Sequence, residues 1–235
     1  MIHRQLKTCY KDLRENVYSY NVIGIGYSFW RQRPWPIVEV VKGKNILDLG
    51  SGPCVNGAVT ALRNRGYVVC FDISKTMAYA SKATLMKLNV HGDVVVGDAL
   101  KMPFRSNSFD GILAIAVIHH IPKPFLIILF TDVKRVLKKL GVFVATVWSW
   151  KQRRFVVKAF IGILKSFCGV FSYVRRYVVS WKSRRGVFKR IYYLYDLNEL
   201  VEIVRGLNMV VVSSGYTWYL KQENKNVYIV LLKND

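Results

Sequence analysis

A chain of 235 residues, 52% of them hydrophobic, is long enough to form one globular domain with a large core. Its 36 lysines and arginines outnumber 14 acidic residues and give a net charge of +22, which predicts a polyanionic partner and favours nucleic acid over a membrane. The four cysteines, Cys9, Cys54, Cys70 and Cys168, form no CxxC pair, so we expect neither a disulfide framework nor a zinc site, and we expect a reduced, cytoplasmic setting.

The apolar stretches of the chain do not predict a membrane span. The N-terminal segment is charged throughout and lacks the apolar stretch of a secretory signal. The apolar stretch at 112–130 is interrupted by two histidines and two prolines, and the stretch at 155–174 contains Lys158 and Lys165. We therefore expect no transmembrane helix.

Short apolar runs rich in Val, Ile and Leu predict strands at 45–52, 67–72, 93–99, 109–120 and 141–148. Stretches of helical length lie between them at 56–66, 74–89 and 123–141, the last expected to end at Gly141. Nearly continuous apolar strands that alternate with helices predict a doubly wound α/β domain with a mostly parallel sheet. A helix at 196–208 and two strands, 209–216 and 226–235, are expected to add an antiparallel hairpin at the sheet edge.

The predicted strands end in residues suited to ligand binding. Asp48, Gly50 and Gly52 follow the first strand, Asp72 the second and Asp98 the third. In doubly wound sheets these ends form one crevice, in which glycines allow close backbone approach and an acidic residue binds a ribose hydroxyl. The pattern predicts a cofactor containing adenosine, while the alternative is that Asp72 and Asp98 only cap the helices that follow. The third glycine of the nicotinamide fingerprint is replaced by Cys54 or Val55, which favours S-adenosylmethionine.

Several longer stretches carry a family resemblance. They are VYSYNVIGIGYSFWRQRPWPIV (17–38), ILDLGSG (46–52), GDALKMPFRSNSFDGILAIAVIHHI (97–121), RVLKKLGVFVATVWSW (135–150) and RIYYLYDLNELVEIV (190–204). Because of these sequence stretches, the chain resembles the class I S-adenosylmethionine-dependent methyltransferases. Within that class it is most similar to the enzymes that methylate the carboxymethyl group on the wobble uridine of tRNA.

The resemblance implies a seven-stranded, Rossmann-like methyltransferase sheet in a single domain. Its expected parts are an N-terminal helical and acceptor segment (1–44), a cofactor-binding core (45–150), a basic insertion (151–192) and a C-terminal helix and hairpin (193–235). The implied cofactor contacts are Asp48, Gly50 and Gly52 in the first loop, Asp72 at the ribose, and Asp98 with Ala99 at the adenine. Arg31, Arg33 and His119 are expected to face the acceptor as catalytic residues, and no metal ion is expected.

The stretch IAVIHHIPKPF contains neither the Asn/Asp-Pro-Pro-aromatic turn common in amino-group methylation nor a cysteine nucleophile for pyrimidine carbon methylation. An oxygen acceptor remains, and we expect His119 to face it while His120 makes a structural hydrogen bond. Arg31 is expected to hold the acceptor carboxylate. For Arg33, acceptor and RNA phosphate contacts stay open.

The distribution of positive charge and the family resemblance predict the binding partners of the protein. No acidic residue occurs between Lys134 and Arg190, where basic and aromatic residues interleave, and this predicts the footprint of tRNA. The resemblance also implies a small zinc-binding activator subunit that pairs with the strand at 93–97. Two alternatives stay open: a methyltransferase for a small lipophilic acceptor, bound to a membrane surface through 155–180, and a cofactor-binding scaffold without turnover, suggested by Cys54.

Overall fold

The computed structural model describes residues 2–152, 155, 175–183, 186–217 and 226–234. The helices of this part are α1 (Ile2–Ser28), α2 (Val55–Asn64), α3 (Lys75–Leu88), α4 (Leu126–Val136) and α5 (Leu197–Arg205). The strands are β1 (Asn45–Leu49), β2 (Tyr67–Asp72), β3 (Gly92–Val96), β4 (Phe109–Ile115), β5 (Leu137–Trp148), β6 (Arg176–Ser183), β7 (Gly186–Tyr193), β8 (Met209–Thr217) and β9 (Asn226–Lys233). The segment 155–180, named above as a possible membrane-surface helix, lies largely outside the described residues.

Seven strands form the main sheet in the order β3-β2-β1-β4-β5-β9-β8. The first five pair in parallel, and β9 runs antiparallel to both β5 and β8. Alternate residues of the central strands face two apolar clusters, because successive side chains of a strand point to opposite faces; Leu47 lies in one cluster and Ile46 in the other. The predicted doubly wound sheet with an antiparallel edge hairpin is confirmed.

The helices begin and end where the local sequence provides caps. The Ser74 hydroxyl accepts a hydrogen bond from the backbone N–H of Met77 at the start of α3, and Asn89 ends that helix in the left-handed conformation. Asp196 and Glu199 form a capping box at the start of α5. No helix of the described residues is long and apolar enough to cross a membrane.

The predicted helix at 123–141 is wrong at its C-terminal end. α4 stops at Val136, and the next residue, Leu137, is buried and pairs with Phe109 as the start of β5. Leu140 then takes a positive φ of 60° before the strand continues. The basic residues that suggested a helix terminus belong to the strand, where Lys138 forms an ion pair with Asp110 on the neighbouring β4.

The basic insertion contains a hairpin that the sequence did not predict. β6 and β7 pair antiparallel in a separate two-stranded sheet, and α1 packs against it. Asp12 of α1 accepts two hydrogen bonds from Arg176 and one from Tyr193. Asn16 hydrogen-bonds both backbone groups of Ile191, at 2.9 and 2.7 Å. These contacts join the N-terminal helix to a segment more than a hundred residues further along the chain.

The prediction that the cysteines form no disulfide is also wrong. Cys54, which precedes α2, is bonded to Cys70 of β2, and both residues are fully buried. Because β1 and β2 lie side by side in parallel, the loop after β1 lies next to β2, so residues sixteen positions apart become neighbours. Cys9 is a buried cysteine that takes no part in this disulfide.

Candidate active site

A cleft opens at the carboxyl ends of β1, β2 and β4, where the doubly wound topology predicts a ligand. One side is lined by residues 50–53 of the loop after β1, by residues 55 and 56 at the start of α2, and by Asp72, Asp98 and Ala99. The other side is lined by Tyr20 and Tyr27 of α1, by Arg31 and Arg33, and by His120. All the predicted cofactor residues except Asp48 therefore share one cleft with the predicted arginines.

The glycines of the first loop shape the cofactor end. Gly50 has a φ of +65°, and a Cβ at this position would meet the side chain of Val117 at 2.6 Å. Gly52 has a φ of +52°, and a Cβ there would have nothing within 4 Å. The Gly52 N–H donates to Asp72 Oδ2 at 2.9 Å, which fixes the loop against the end of β2. The open side of Gly52 leaves room for a ligand close to the backbone.

Asp48 lies beneath this loop and does not line the cleft, unlike the direct cofactor contact that we predicted. It is 1% exposed and accepts a hydrogen bond of 2.9 Å from the Gly57 N–H. The pKa of Asp48 is raised to about 8, mainly by burial and also by the negative charge of Asp72, despite the lowering effect of the Gly57 hydrogen bond. Its carboxyl group is thus mostly protonated near neutral pH and supports the loop.

Gly57 fills the role of the missing third glycine, which sequence reasoning had placed at Cys54 or Val55. A Cβ on Gly57 would meet Asp48 Cβ at 2.7 Å and Val68 Cγ2 at 2.8 Å, so α2 packs against β1 and β2 only with glycine here. The signal was present in the sequence, because a glycine inside a predicted helix indicates close packing.

Asp72 and Asp98 keep the positions that the sequence predicted. Asp72 accepts backbone hydrogen bonds from Gly52 and Ser74, and burial raises its pKa. The helix after β2 is capped by the Ser74 side chain, so the reading of Asp72 as the cap is wrong. Asp98 is exposed and closes a turn by accepting from the Leu100 N–H. Both aspartates line the cleft.

Cys54 points away from the cleft. Its sulfur is bonded to Cys70 in the apolar cluster on the far side of the loop, while the neighbouring residues Pro53 and Val55 do line the cleft. The residue adopts a φ of 57°, a left-handed conformation in which glycine is usual. A side chain at this position therefore does not crowd the space next to Gly52.

The structure places His120 in the cleft rather than the predicted His119. His119, predicted to face the acceptor, is 2% exposed, does not line the cleft and stacks on Trp148 with ring centroids 5.3 Å apart. His120, predicted to be structural, lines the cleft, and its Nε2 lies 3.0 Å from the Tyr20 hydroxyl oxygen. The 3₁₀ turn Ile118–His120 after β4 turns the second histidine toward the cleft.

The pKa of His120 is lowered to about 3, mainly by burial and further by the positive charges of Arg190 and Arg31. His120 is therefore a neutral imidazole at physiological pH. Paired with the Tyr20 hydroxyl, it offers a hydrogen-bonding group that carries no charge and does not change with pH across the neutral range.

Arginines give the acceptor end a positive charge. Arg31 donates from Nε to the Tyr27 hydroxyl at 3.0 Å. Buried Trp35 is tied to the cofactor loop by a hydrogen bond of 2.9 Å from its backbone N–H to Asn56 Oδ1, which positions the segment that carries Arg31 and Arg33. Within the described residues no cluster of His, Cys, Asp or Glu could hold a metal ion.

Arg190 of β7 is a further residue of this end that sequence reasoning missed. It is 7% exposed, and its guanidinium lies over the rings of Trp181, Tyr192 and Tyr27, at 5.0, 5.5 and 5.9 Å. Among the described residues, its buried Nε has no hydrogen-bond partner. The only sequence signal was its place in the stretch RIYYLY. Its charge acts on His120 and Tyr20 from behind the cleft wall.

Residues 47–145 match the family model described as a methyltransferase domain. This part of the chain is a methyltransferase domain. A solved 1,6-didemethyltoxoflavin-N1-methyltransferase of Burkholderia thailandensis, with bound S-adenosylhomocysteine, superposes with a TM-score of 0.67 at 16% identity over 96% of this chain and 89% of the other. The predicted methyltransferase fold is confirmed.

Curated relatives of the methyltransferase domain act on different acceptors. A tRNA (carboxymethyluridine(34)-5-O)-methyltransferase of Xenopus tropicalis is 30% identical over 146 residues, which are 59% of this chain and 22% of the relative. A 24-methylenesterol C-methyltransferase of Arabidopsis thaliana is 33% identical over 121 residues, 50% of this chain and 32% of the relative. The chain thus spans about a fifth to a third of the length of these relatives.

Proposed function

We propose that the protein is an S-adenosylmethionine-dependent methyltransferase that esterifies the carboxymethyl group of a modified wobble uridine in tRNA. The observation that carries the proposal is the pairing, in one cleft, of a glycine loop and Asp72 with Arg31, Arg33 and the neutral His120. A site with positive charges and an uncharged imidazole suits an acceptor that is already an anion.

The cofactor end fits S-adenosylmethionine. Asp72 would accept from the ribose hydroxyls, and Asp98 with Ala99 would lie at the adenine, whose exocyclic amine is a donor. The open space at Gly52 would take the part of the cofactor that lies against the loop. When bound there, S-adenosylmethionine supplies an electrophilic methyl group next to the arginines.

The acceptor end does not require a strong base, because a carboxylate with an ordinary pKa near 4 is ionised at neutral pH. A carboxylate oxygen donates the electron pair of the new C–O bond, the C–S bond breaks, and the sulfur keeps its electron pair. Arg31 would hold the other carboxylate oxygen, and His120 or Tyr20 would donate a hydrogen bond. Orientation of this kind lowers a barrier by roughly 7–11 kcal/mol.

Methyl transfer is tested with labelled S-adenosylmethionine and an anticodon stem-loop that carries 5-carboxymethyluridine, followed by nucleoside analysis. We expect the methyl ester to form.

Arg31→Ala should lower the rate of methyl transfer while the affinity for the cofactor stays unchanged. Asp72→Ala should weaken cofactor binding by at least about tenfold, because it removes a charge-assisted hydrogen bond worth about 1.5–3 kcal/mol. Calorimetry measures the affinities, with Arg63→Ala, outside the cleft, as the control. Labelled protein-bound cofactor without any nucleoside product would contradict the proposal.

A small lipophilic acceptor is the second candidate, favoured by the sterol methyltransferase relatives and by apolar cleft residues such as Leu13, Val17 and Ile121. The same assay with a 24-methylenesterol in detergent distinguishes the two. Cofactor binding without methyl transfer to either acceptor would favour the third alternative, a cofactor-binding scaffold without turnover. Cys54 does not support that alternative, because its side chain points away from the cleft.

We further propose that a small zinc-binding activator pairs with β3. β3 lies at the edge of the main sheet, and within the described residues only β2 pairs with it. Val96 on this strand is 48% exposed. An uncovered edge with apolar side chains favours strand addition by a partner. The cytoplasmic location stays a prediction.

A further inference from the structure

Two large aromatic side chains are exposed beside the acceptor end of the cleft. Phe29 and Trp30 follow directly after α1 and are 72% and 78% exposed. The backbone N–H of Trp30 donates to the Tyr27 carbonyl at 3.1 Å, so a turn holds Trp30 in place. Adjacent exposed rings of this size indicate an interaction surface, because they leave apolar area in water without contributing to the core.

A row of aromatic contacts connects this surface with the cleft. Trp30 contacts Trp181 of the β6–β7 hairpin with ring centroids 6.4 Å apart, and Trp181 contacts Tyr27 at 5.8 Å. Tyr27 contacts Tyr20 at 5.5 Å, and Tyr20 contacts His120 at 5.2 Å. Tyr27, Tyr20 and His120 line the cleft. The exposed ring of Trp30 therefore lies two aromatic contacts from the cleft wall.

The surroundings of this surface are positively charged. Arg31 and Arg33 follow Trp30 in the chain, and exposed Lys182 and Lys189 lie on the hairpin that carries Trp181. Arg190 lies over the Trp181 ring at 5.0 Å and holds it by a cation–π contact. The sequence contains no acidic residue between Lys134 and Arg190. Aromatic faces surrounded by cations match the stacked bases and phosphates of single-stranded nucleic acid.

We propose that Phe29, Trp30 and Trp181 form a base-stacking platform for the unpaired nucleotides that flank the acceptor nucleotide. The proposal rests on the proposed function, since it requires an RNA acceptor. The platform holds neighbouring bases by their faces, so it binds without reading their identity. It thereby selects an acceptor in an unpaired loop over the same nucleoside in a duplex.

The platform is tested with the full chain and a stem-loop of seventeen nucleotides, by direct binding and by methyl transfer. Trp30→Ala should weaken stem-loop binding by at least about tenfold, while Trp30→Phe keeps most of the affinity. The slope of log affinity against log salt should not change, because no charge is removed, whereas Lys182→Ala lowers it. Tyr79→Ala is the matched control, since Tyr79 is also 78% exposed but lies on α3 and does not line the cleft.

The outcomes separate the two proposals. Unchanged stem-loop affinity in Trp30→Ala, or an equal loss in Tyr79→Ala, would overturn the platform even if the stem-loop is methylated. Wild-type binding that depends on Trp30 without any methylation would support the platform and overturn the proposed reaction. Loss of binding to phosphatidylserine vesicles in Trp30→Ala, with RNA binding intact, would assign the surface to a membrane and overturn the platform. S-adenosylhomocysteine binding by each variant verifies that it is folded.

Discussion

At the scale of single residues, the cleft depends on side chains whose pKa differs from the ordinary value. Asp48 is buried and has a raised pKa, and the partly buried His120 has a lowered pKa. Both are uncharged near neutral pH, since transfer of an unpaired charge into the interior is unfavourable. The charge of the site therefore comes from the arginines and from Asp72 and Asp98.

The raised pKa of Asp48 predicts that the protein loses stability as the pH rises toward 8. Its folded pKa of about 8 exceeds the ordinary value of 3.8, so its stabilisation is complete below about pH 4 and is lost progressively as the pH rises through 8. Between pH 6 and 9 the loss is about 2.7 kcal/mol, or roughly 5–11 °C in Tm, and most of it occurs below pH 8. Asp48→Asn keeps an acceptor for the Gly57 N–H but cannot ionise, so its Tm should fall less. Thermal unfolding of both proteins across this range measures the difference, and parallel curves would refute the assignment.

At the scale of elements, the edge strand β3 and the β6–β7 hairpin flank the cleft on different sides. The strand is proposed to pair with a protein partner, and the hairpin to contribute to RNA binding. The hairpin is fixed to α1 by the buried Asp12 and Asn16 and supplies Arg190 and Trp181. In the part of the chain that the structure describes, β3 is bonded on one side only, so a partner can reach its backbone without disturbing the cleft.

Proline substitutions test the free edge of β3. The His91 carbonyl and the Gly97 N–H bond toward β2, so by alternation along a parallel strand the N–H of Val94 points outward and that of Asp93 inward. Val94→Pro should leave cofactor binding intact and abolish pairing with a zinc-binding partner. Asp93→Pro, the matched control, should lower Tm because it removes a hydrogen bond within the sheet. Co-purification and thermal unfolding provide the readouts; a Val94→Pro protein that retains the partner would refute β3 pairing.

At the scale of the whole molecule, the net charge of +22 governs association with RNA. Each phosphate contact releases counterions, so affinity falls linearly with salt on logarithmic axes. If six or more phosphates are bound, stem-loop affinity should fall by about a thousandfold or more between 50 and 200 mM salt. Filter binding at several salt concentrations measures the slope. A flat dependence would contradict an electrostatic footprint and favour the small lipophilic acceptor.

The sequence by itself determined the alternation of strands and helices, the glycine loop and the strand-end positions of Asp72 and Asp98. These features are local: apolar period, turn glycines and residues at the ends of strands follow from a few neighbouring residues. The end of α4 was predicted wrongly, because Leu137 is drawn into β5 by pairing with Phe109, a contact that local helix signals do not contain.

Only the tertiary structure decided which histidine lines the cleft and which cysteines are bonded. His119 and His120 are adjacent, and the turn after β4 determines which of them is turned outward. Cys54 meets Cys70, and Arg190 joins Tyr20 and Tyr27, across long stretches of chain. Such contacts arise from the packing of α1, the sheet and the hairpin together, and no short window of sequence encodes that packing.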